Sequence, residues 1–95
     1  MATSQNYLFP SSLIPQEMKE SQPMGFTMRS LEKGDFAKGF LDCLRVLTFV
    51  GELSEQDFLE HFEDMVSSNG TYFVLVVEHA SRIVATGTLV VEKKL

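Results

Sequence analysis

An α+β fold, in the order strand, helix, helix, strand, strand, is predicted by three patterns in the 95-residue sequence. Residues 72–78 and 83–92 are rich in β-branched and aromatic side chains, and about four polar or small residues separate them, which is typical of a β-hairpin. Residues 35–47 and 54–66 repeat apolar side chains at helical spacing. Residues 26–31 alternate apolar and polar side chains, as a half-buried strand does. These patterns place one strand and two helices before the hairpin.

The first 24 residues are predicted to form a mobile N-terminal arm. Pro10, Pro15 and Pro23 are expected to break any regular element there, and most of the other residues are polar. Two apolar groups interrupt this stretch, at residues 7–9 and 13–14. Because a disordered tail rarely carries so many large apolar side chains, we expect the arm to dock locally, with another subunit as one candidate surface.

The first helix is expected between Asp35 and Gly51. Asp35 follows a turn at residues 32–34 and has the carboxylate of an N-cap, which accepts hydrogen bonds from the free N–H groups of the first turn. Gly51 can take the left-handed geometry that stops a helix. The apolar stripe consists of Phe36, Phe40, Leu44 and Leu47, widened by Ala37, Leu41 and Cys43. This helix should therefore pack on the sheet.

The second helix is expected to begin at Ser54, because Ser54 and Asp57 form a capping-box variant with Asp in place of the usual Glu. Its buried stripe consists of Phe58, Leu59, Phe62, Met65 and Val66. Six carboxylates crowd the same stretch: Glu52, Glu55, Asp57, Glu60, Glu63 and Asp64. Such a cluster can bind a metal or act as acid and base, but most members are expected to face outward, and His61 is the one histidine at a ligand-like spacing from them. A solvated acidic face with no metal is therefore expected.

The hairpin lacks a clean alternation of apolar and polar residues, so both of its faces should be covered. His79 is expected to be an exposed turn residue, and Gly87 to mark a bulge or a close backbone approach. At most two helices precede the hairpin to cover one face, and an open apolar edge beside the last strand favours aggregation. The sequence therefore predicts an incomplete sheet, in half of a domain or in one subunit of an intimate oligomer.

Composition and charge argue against several classes of protein. Ninety-five residues with 44% hydrophobic side chains amount to one globular domain or part of one. The net charge of −5 argues against nucleic-acid binding. Cys43 is the single cysteine, which excludes an intrachain disulfide and a cysteine-rich zinc site and fits a reducing cytoplasm. Without a membrane-length apolar run or a secretion signal, a cytoplasmic protein with no membrane association is expected.

The residues alone carry no strong catalytic signature, since the sequence lacks a phosphate-cradling glycine loop, a nucleophile in a known elbow and a metal constellation. Two features remain that can contact a polar ligand. Thr48 ends the first helix, where its hydroxyl can bond a ligand or, alternatively, a helix carbonyl. Lys93 and Lys94 follow the last strand, where an ammonium can hold a phosphate or, alternatively, lie in solvent.

Several segments, in order and without large gaps, carry a family resemblance: Gly34-Asp35, residues 46–51, residues 54–58 and residues 83–94. Together they resemble the N-terminal half of eukaryotic glucosamine 6-phosphate N-acetyltransferase, and residues 8–14 resemble the N-terminal extension of its longer members. The family belongs to the GNAT acetyltransferase superfamily, which fits the predicted element order. On this resemblance, residues 1–24 are the arm and residues 25–95 are the N-terminal half of a GNAT domain.

The resemblance implies an activity and its substrates. Members transfer acetyl from acetyl-CoA directly to the amine of glucosamine 6-phosphate, without an acyl-enzyme, on the route to UDP-N-acetylglucosamine. By this resemblance Thr48 is the substrate-contacting threonine at the end of the first helix, and Lys94 and Leu95 begin the loop that holds the sugar phosphate. Members also form homodimers whose active sites draw on both subunits, so a second copy or the C-terminal half of the domain is the expected partner.

The sequence departs from the family's pattern at the acetyl-CoA site. The superfamily's pyrophosphate-binding segment, Gln or Arg-x-x-Gly-x-Gly or Ala opening a helix, does not occur in it, and neither do the family's Glu-Asp strand and C-terminal tyrosine. Because the backbone donors for the diphosphate are lacking, the 95 residues alone are expected to be inactive. Two interpretations stay open: half of an acetyltransferase, or a non-catalytic binding or regulatory module that completes its sheet with a partner chain.

Overall fold

The computed structural model contains one three-stranded antiparallel sheet with two of its helices on one face and the N-terminal arm on the other. It describes residues 6–47, 53–68 and 70–91. The strands are β1 (Phe26–Ser30), β2 (Tyr72–His79) and β3 (Arg82–Val90), in the spatial order β1-β2-β3. The helices are α1 (Gln16–Glu20), α2 (Phe40–Leu47) and α3 (Glu55–Ser67), and 3₁₀ turns cover Ser11–Leu13 and Lys33–Phe36. The predicted α+β order is confirmed, with one short helix added in the arm.

The helical face of the sheet carries the main core. Val74 and Val76 of β2 share this face with Leu31 and Ile83, and all four side chains are buried. Phe58 and Phe62, the two buried residues of α3, belong to the same apolar cluster. Packing of apolar helix stripes on the sheet is what the helical spacing of the sequence predicts.

The arm covers part of the opposite face. The Phe9 ring meets the Phe73 ring edge-on, with centroids 5.3 Å apart, and the Phe9 N–H donates to the buried Ser30 hydroxyl over 3.1 Å. Leu8, Phe9 and Ile14 are all buried in the core. The arm therefore docks on its own domain in this structure, and its mobility stays a prediction.

Pro15 and Pro23 lie on either side of a short helix in the arm. The expectation that the prolines break every regular element is therefore wrong. Pro15 immediately precedes α1, with a φ of −56° that suits the start of a helix. Pro23 lies between the end of α1 and the start of β1. Proline has no N–H, but the first N–H groups of a helix have no partner within the helix. A proline immediately before α1 therefore costs no helical hydrogen bond.

Asp35 is not the N-cap of the first helix, contrary to the sequence prediction. It lies inside the 3₁₀ turn, where its carboxylate accepts a hydrogen bond from the Glu32 N–H over 2.9 Å. The helix begins only at Phe40, after Gly39, whose φ is +89°. That backbone geometry is costly for other residues, and a Cβ there would lie 2.7 Å from the Arg82 guanidinium. The predicted stop at Gly51 falls outside the described residues.

The second helix begins as predicted. The Ser54 hydroxyl accepts a hydrogen bond from the Asp57 N–H over 3.1 Å, and the Asp57 carboxylate accepts one from the Ser54 N–H over 3.3 Å. This reciprocal capping box is therefore confirmed. The outward side of the helix is acidic, since Glu55, Glu60 and Asp64 are exposed.

The hairpin turn is shorter than the sequence indicates. Only Ala80 and Ser81 join β2 to β3, and their φ angles of 50° and 65° are those of a type I′ turn. His79 is the last residue of β2 and not an exposed turn residue. Its ring stacks on Phe26, with centroids 4.2 Å apart and planes inclined by 9°.

The bulge of the hairpin lies at Val84, so the expectation for Gly87 is wrong. Val77 pairs with Ala85 and Glu78 pairs with Ile83, which leaves Val84 as the extra residue. Gly87 pairs with Leu75 in regular register, and no described atom lies within 4 Å of the position its Cβ would take.

Strand β3 is the uncovered part of the sheet. Leu89 and Val90 expose 59% and 50% of their surface, and Ile83 is the one residue of the strand that is buried. Among residues 6–47, 53–68 and 70–91, no strand pairs with the far edge of β3. The predicted incomplete sheet is therefore confirmed at β3, whereas β2 is covered on both faces.

Candidate functional site

Arg29 is the centre of a partly buried ion-pair cluster on the helical face. Its guanidinium donates to both carboxylate oxygens of Asp35 over 2.9 and 2.7 Å, and to one oxygen of Glu78 over 3.1 and 2.8 Å. The remaining N–H donates to the Ser30 carbonyl over 3.0 Å. Because a guanidinium has five N–H donors, Arg29 has none left for a substrate anion.

Glu78 joins this cluster to the segment that leads into α2. Its second oxygen accepts a hydrogen bond from the Lys38 ammonium over 2.8 Å. The hydrogen bond from Lys38, followed by that from Arg29, holds the pKa of Glu78 below its ordinary value of 4.5. The same contact raises the pKa of Lys38, and the Asp35 contact raises that of Arg29. Glu78 is therefore charged near neutral pH and is poorly suited to act as a general base there.

A groove of about 700 Å³ lies between the arm, the end of α3 and the start of β2. Its lining includes Tyr7, Phe9, Met65, Tyr72 and Phe73. Arg29 is the one charged residue in the lining that the structure describes, and its donors are all occupied. A hydrogen bond to Glu32 raises the pKa of Tyr7 at the rim. The groove therefore suits an apolar or flat aromatic group better than a phosphate.

The outer edge of β3 has backbone groups that pair with no strand of the described residues. The Val91 N–H donates to the Thr71 carbonyl over 2.8 Å, which points Val91 toward β2. Because alternate residues of a strand bond to opposite sides, Thr86, Thr88 and Val90 direct their backbone N–H and C=O groups away from β2. This edge can accept another strand.

Thr48, Lys94 and Leu95, the substrate-binding residues predicted from the sequence, lie outside the described residues and stay predictions. Thr48 follows α2 in the sequence, and Lys94 and Leu95 follow β3. These two elements are neighbours, because α2 packs against β3 and the Ile83 N–H donates to the Lys38 carbonyl over 2.9 Å.

Metal-ligating side chains are not grouped in the described part of the chain, where no cluster of three or more His, Cys, Asp or Glu residues could hold an ion. Cys43 is a half-buried free thiol. No helix in the described ranges is long and apolar enough to cross a membrane.

Sequence reasoning missed the Arg29 cluster because it treated residues 26–31 as a strand with one solvated face. Ser30 and Leu31 are both fully buried, and the Arg29 side chain is only 11% exposed. A local signal existed, since Glu32 and Asp35 follow Arg29 within six residues and can meet it across a turn. Glu78 gives no such signal, because it is 49 residues away from Arg29.

Comparison with known proteins gives several related sequences, although no protein-family model matches the chain. Glucosamine 6-phosphate N-acetyltransferase of Candida albicans is 46% identical over 74 residues, which are 77% of this chain and 50% of that protein. The Arabidopsis thaliana protein of the same name is 35% identical over 71 residues, or 73% of this chain and 48% of that protein. The crystal structure of glucosamine-6-phosphate N-acetyltransferase from Arabidopsis thaliana matches with a TM-score of 0.70 and 35% identity, over 73% of this chain and 48% of that one.

The sequence and structural matches agree with each other. Both extend over about three quarters of this chain, and the chain spans about half the length of the curated relatives it matches. Sequence identity of 35–46% together with a shared fold indicates common descent. The chain is therefore a homologue of the glucosamine 6-phosphate N-acetyltransferases, and its described residues form part of the GNAT fold.

Proposed function

We propose that the polypeptide carrying this chain transfers acetyl from acetyl-CoA to the amine of glucosamine 6-phosphate, as a step toward UDP-N-acetylglucosamine. The observation that carries the proposal is the 46% identity over 74 residues with the Candida albicans protein named for this activity. Fold alone would support only the superfamily, because one fold hosts many activities. Sequence identity at this level supports the narrower substrate class, glucosamine 6-phosphate.

The proposed reaction is a direct transfer between the two substrates. The neutral sugar amine attacks the thioester carbonyl, so that a C–N bond forms and the C–S bond breaks. The amine loses one proton, and coenzyme A departs as the thiol after it gains one. No residue of this chain becomes acylated, and we assign none of the described carboxylates as the base.

In this proposal Thr48, Lys94 and Leu95 contact glucosamine 6-phosphate. The Thr48 hydroxyl can exchange a hydrogen bond with a sugar hydroxyl, and the Lys94 ammonium can pair with the phosphate. Leu95 continues the same loop. The packing of α2 against β3 supports this assignment, since the chain enters Thr48 from α2 and reaches Lys94 and Leu95 after β3.

We assign the main acetyl-CoA contacts to the part of the enzyme that corresponds to the half of the relatives outside the matching segment. The curated relatives are about twice as long as the matching segment, and the glycine-rich pyrophosphate pattern does not occur in these 95 residues. The 95 residues alone are therefore proposed to be inactive. The exposed Leu89 and Val90 and the free edge of β3 support a partner there, either the remaining half of the domain or the second subunit of a cytoplasmic homodimer.

A second candidate is a non-catalytic binding or regulatory module that completes its sheet with a partner chain. The free backbone groups of Thr86, Thr88 and Val90 favour it, because an open strand edge binds an extended segment of another chain. This candidate predicts stable association without release of coenzyme A.

The experiment is an acetylation assay on the polypeptide at its native length, purified from the cells that make it. Thiol release from acetyl-CoA is measured with glucosamine 6-phosphate, and with glucose 6-phosphate as the control that lacks the amine. The proposal expects thiol and N-acetylglucosamine 6-phosphate in equal amounts with the first sugar, and neither with the second. A folded polypeptide that binds a partner chain but releases no coenzyme A would support the module instead.

A further inference from the structure

The short link that leads into α2 is tied to all three strands. Residues 37–39 join the 3₁₀ turn to the helix. Arg29 of β1 holds Asp35 at the end of the turn, Glu78 of β2 holds the Lys38 ammonium, and the Ile83 N–H of β3 donates to the Lys38 carbonyl. The start of α2 therefore has a fixed place on the sheet.

Glu78 is the junction of these contacts. One of its oxygens accepts from Arg29 and the other from Lys38, at 2.8 Å each. Its side chain is 21% exposed, and the Asp35 carboxylate that shares Arg29 is completely buried. The Lys38 side chain is 31% exposed, so the shielded part of the cluster is the one around Arg29, where charges attract one another more strongly than surface pairs do. Loss of the Glu78 charge would therefore loosen Lys38 and Arg29 together.

If α2 tilts as a rigid rod about its start, the displacement is largest at the other end of the helix. The eight residues of α2 span about 12 Å, so a tilt of about 10° at the start moves the far end by about 2 Å. Thr48 is the next residue in the sequence after Leu47, which ends α2. A displacement of about 1 Å is enough to lower the rate of an enzyme substantially when it moves a group that orients the substrate.

We infer that Glu78 is a positioning residue for the acceptor-sugar site, because it joins Arg29 to Lys38 and so fixes the helix that leads to Thr48. The inference rests on the proposed function and on the role of Thr48 in it. Arg29 has no donor free for the substrate, so the cluster acts through the helix and not by contact.

Steady-state kinetics on the native-length polypeptide give the first test. Glu78→Gln keeps the shape of the side chain and removes its charge. It is expected to raise the KM for glucosamine 6-phosphate about tenfold and to change the KM for acetyl-CoA less than about twofold. Lys38→Met should act in the same direction, and Lys38→Arg should restore the KM to within about threefold of the wild type.

The matched control is Lys33→Met, which removes a 2.9 Å ion pair between Lys33 and Glu63 of α3. Like Lys38→Met, it replaces one lysine by methionine, five residues earlier in the sequence. It should leave the KM values for both substrates unchanged. An equal rise of both KM values in Glu78→Gln, or no rise in a folded Lys38→Met, overturns the inference.

Amide hydrogen exchange on the native-length polypeptide gives a second test that does not need activity. In Glu78→Gln, the backbone amides of Arg45, Val46 and Leu47 should exchange about tenfold faster than in the wild type and in Lys33→Met, whereas those of α3 should stay within about twofold of the wild type. Equal protection of α2 in the two variants overturns the inference. A wild-type polypeptide that is inactive counts against the proposed function, and the exchange result then decides the positioning role of Glu78 on its own.

Discussion

Arg29 and Asp35 form a bidentate ion pair in which the carboxylate is completely buried and the two N–O distances are 2.9 and 2.7 Å. The pair links β1 to the 3₁₀ turn that precedes α2. A buried charge that loses its partner cannot recover its hydration, so breaking such a pair costs far more than breaking a surface pair.

Arg29→Met should therefore lower the free energy of unfolding by about 3–5 kcal/mol, because it leaves Asp35 buried and unpaired. Urea unfolding followed by circular dichroism measures this. If the wild type is only modestly stable, the Arg29→Met variant should show no cooperative unfolding transition. Lys33→Met, which removes a more exposed pair with Glu63, should cost less than about 1 kcal/mol. Equal effects of the two variants would contradict the assigned role of the Arg29–Asp35 pair.

Acid should remove the stabilisation that Glu78 provides. The pKa of Glu78 lies below its ordinary 4.5 in the folded chain, owing to Lys38 and then Arg29. Its contribution is therefore complete above the unfolded-state pKa and is lost as the pH falls through the lower folded-state pKa. The stability difference between wild type and Glu78→Gln should be largest near pH 7 and should shrink steadily below about pH 4.5. Urea midpoints at several pH values measure it, and a difference that stays constant with pH would contradict the account.

His79→Phe should raise the free energy of unfolding by about 1 kcal/mol. The two ring nitrogens of His79 are buried without a hydrogen-bond partner in the described part of the chain, and removing an unsatisfied polar group is favourable. A phenyl ring keeps the stack on Phe26. His79→Ala is the control, because it also removes the nitrogens but loses the stack and should destabilise. If thermal unfolding places His79→Phe below the wild type, the imidazole has a partner that the structure does not describe.

A glycine in place of Ser81 in the hairpin turn should stabilise the fold. Ser81 has a φ of 65°, which is costly for a residue with a Cβ by about 1 kcal/mol. Ser81→Gly should therefore raise stability by up to about 1 kcal/mol, after the greater freedom of glycine in the unfolded chain is subtracted. Ala85→Gly, in the extended part of the same hairpin, should lower stability by a similar amount. Thermal unfolding of both variants checks the opposite signs.

The element order was predictable because its signals are local. The capping box of Ser54 and Asp57 lies within four residues, and the apolar stripe of α3 repeats within two turns. The strands of the hairpin were visible in the same way from their β-branched residues. The start of α2 was misplaced because Asp35 has the side chain of an N-cap, whereas Arg29, six residues earlier, draws it into a buried ion pair instead.

The contacts between distant parts of the chain were not predictable from local patterns. The docking of Phe9 on Phe73 and the Arg29–Glu78 pair join residues far apart in the sequence. The bulge at Val84 likewise depends on how β3 pairs with β2. The residues alone marked Thr48 and Lys94 only as able to contact a polar ligand, with a helix carbonyl or solvent as the alternative. The family resemblance selected them as substrate contacts and added Leu95.

The most direct test of the account compares acetyl transfer by the native-length polypeptide with that of its Thr48→Ala variant. The wild type is expected to release coenzyme A from acetyl-CoA only when glucosamine 6-phosphate is present. The variant is expected to show a KM for the sugar raised about tenfold, the value of roughly one hydrogen bond, with the KM for acetyl-CoA unchanged. A folded wild type that releases no coenzyme A would contradict the acetyltransferase proposal, and an unchanged sugar KM in the variant would contradict the role of Thr48.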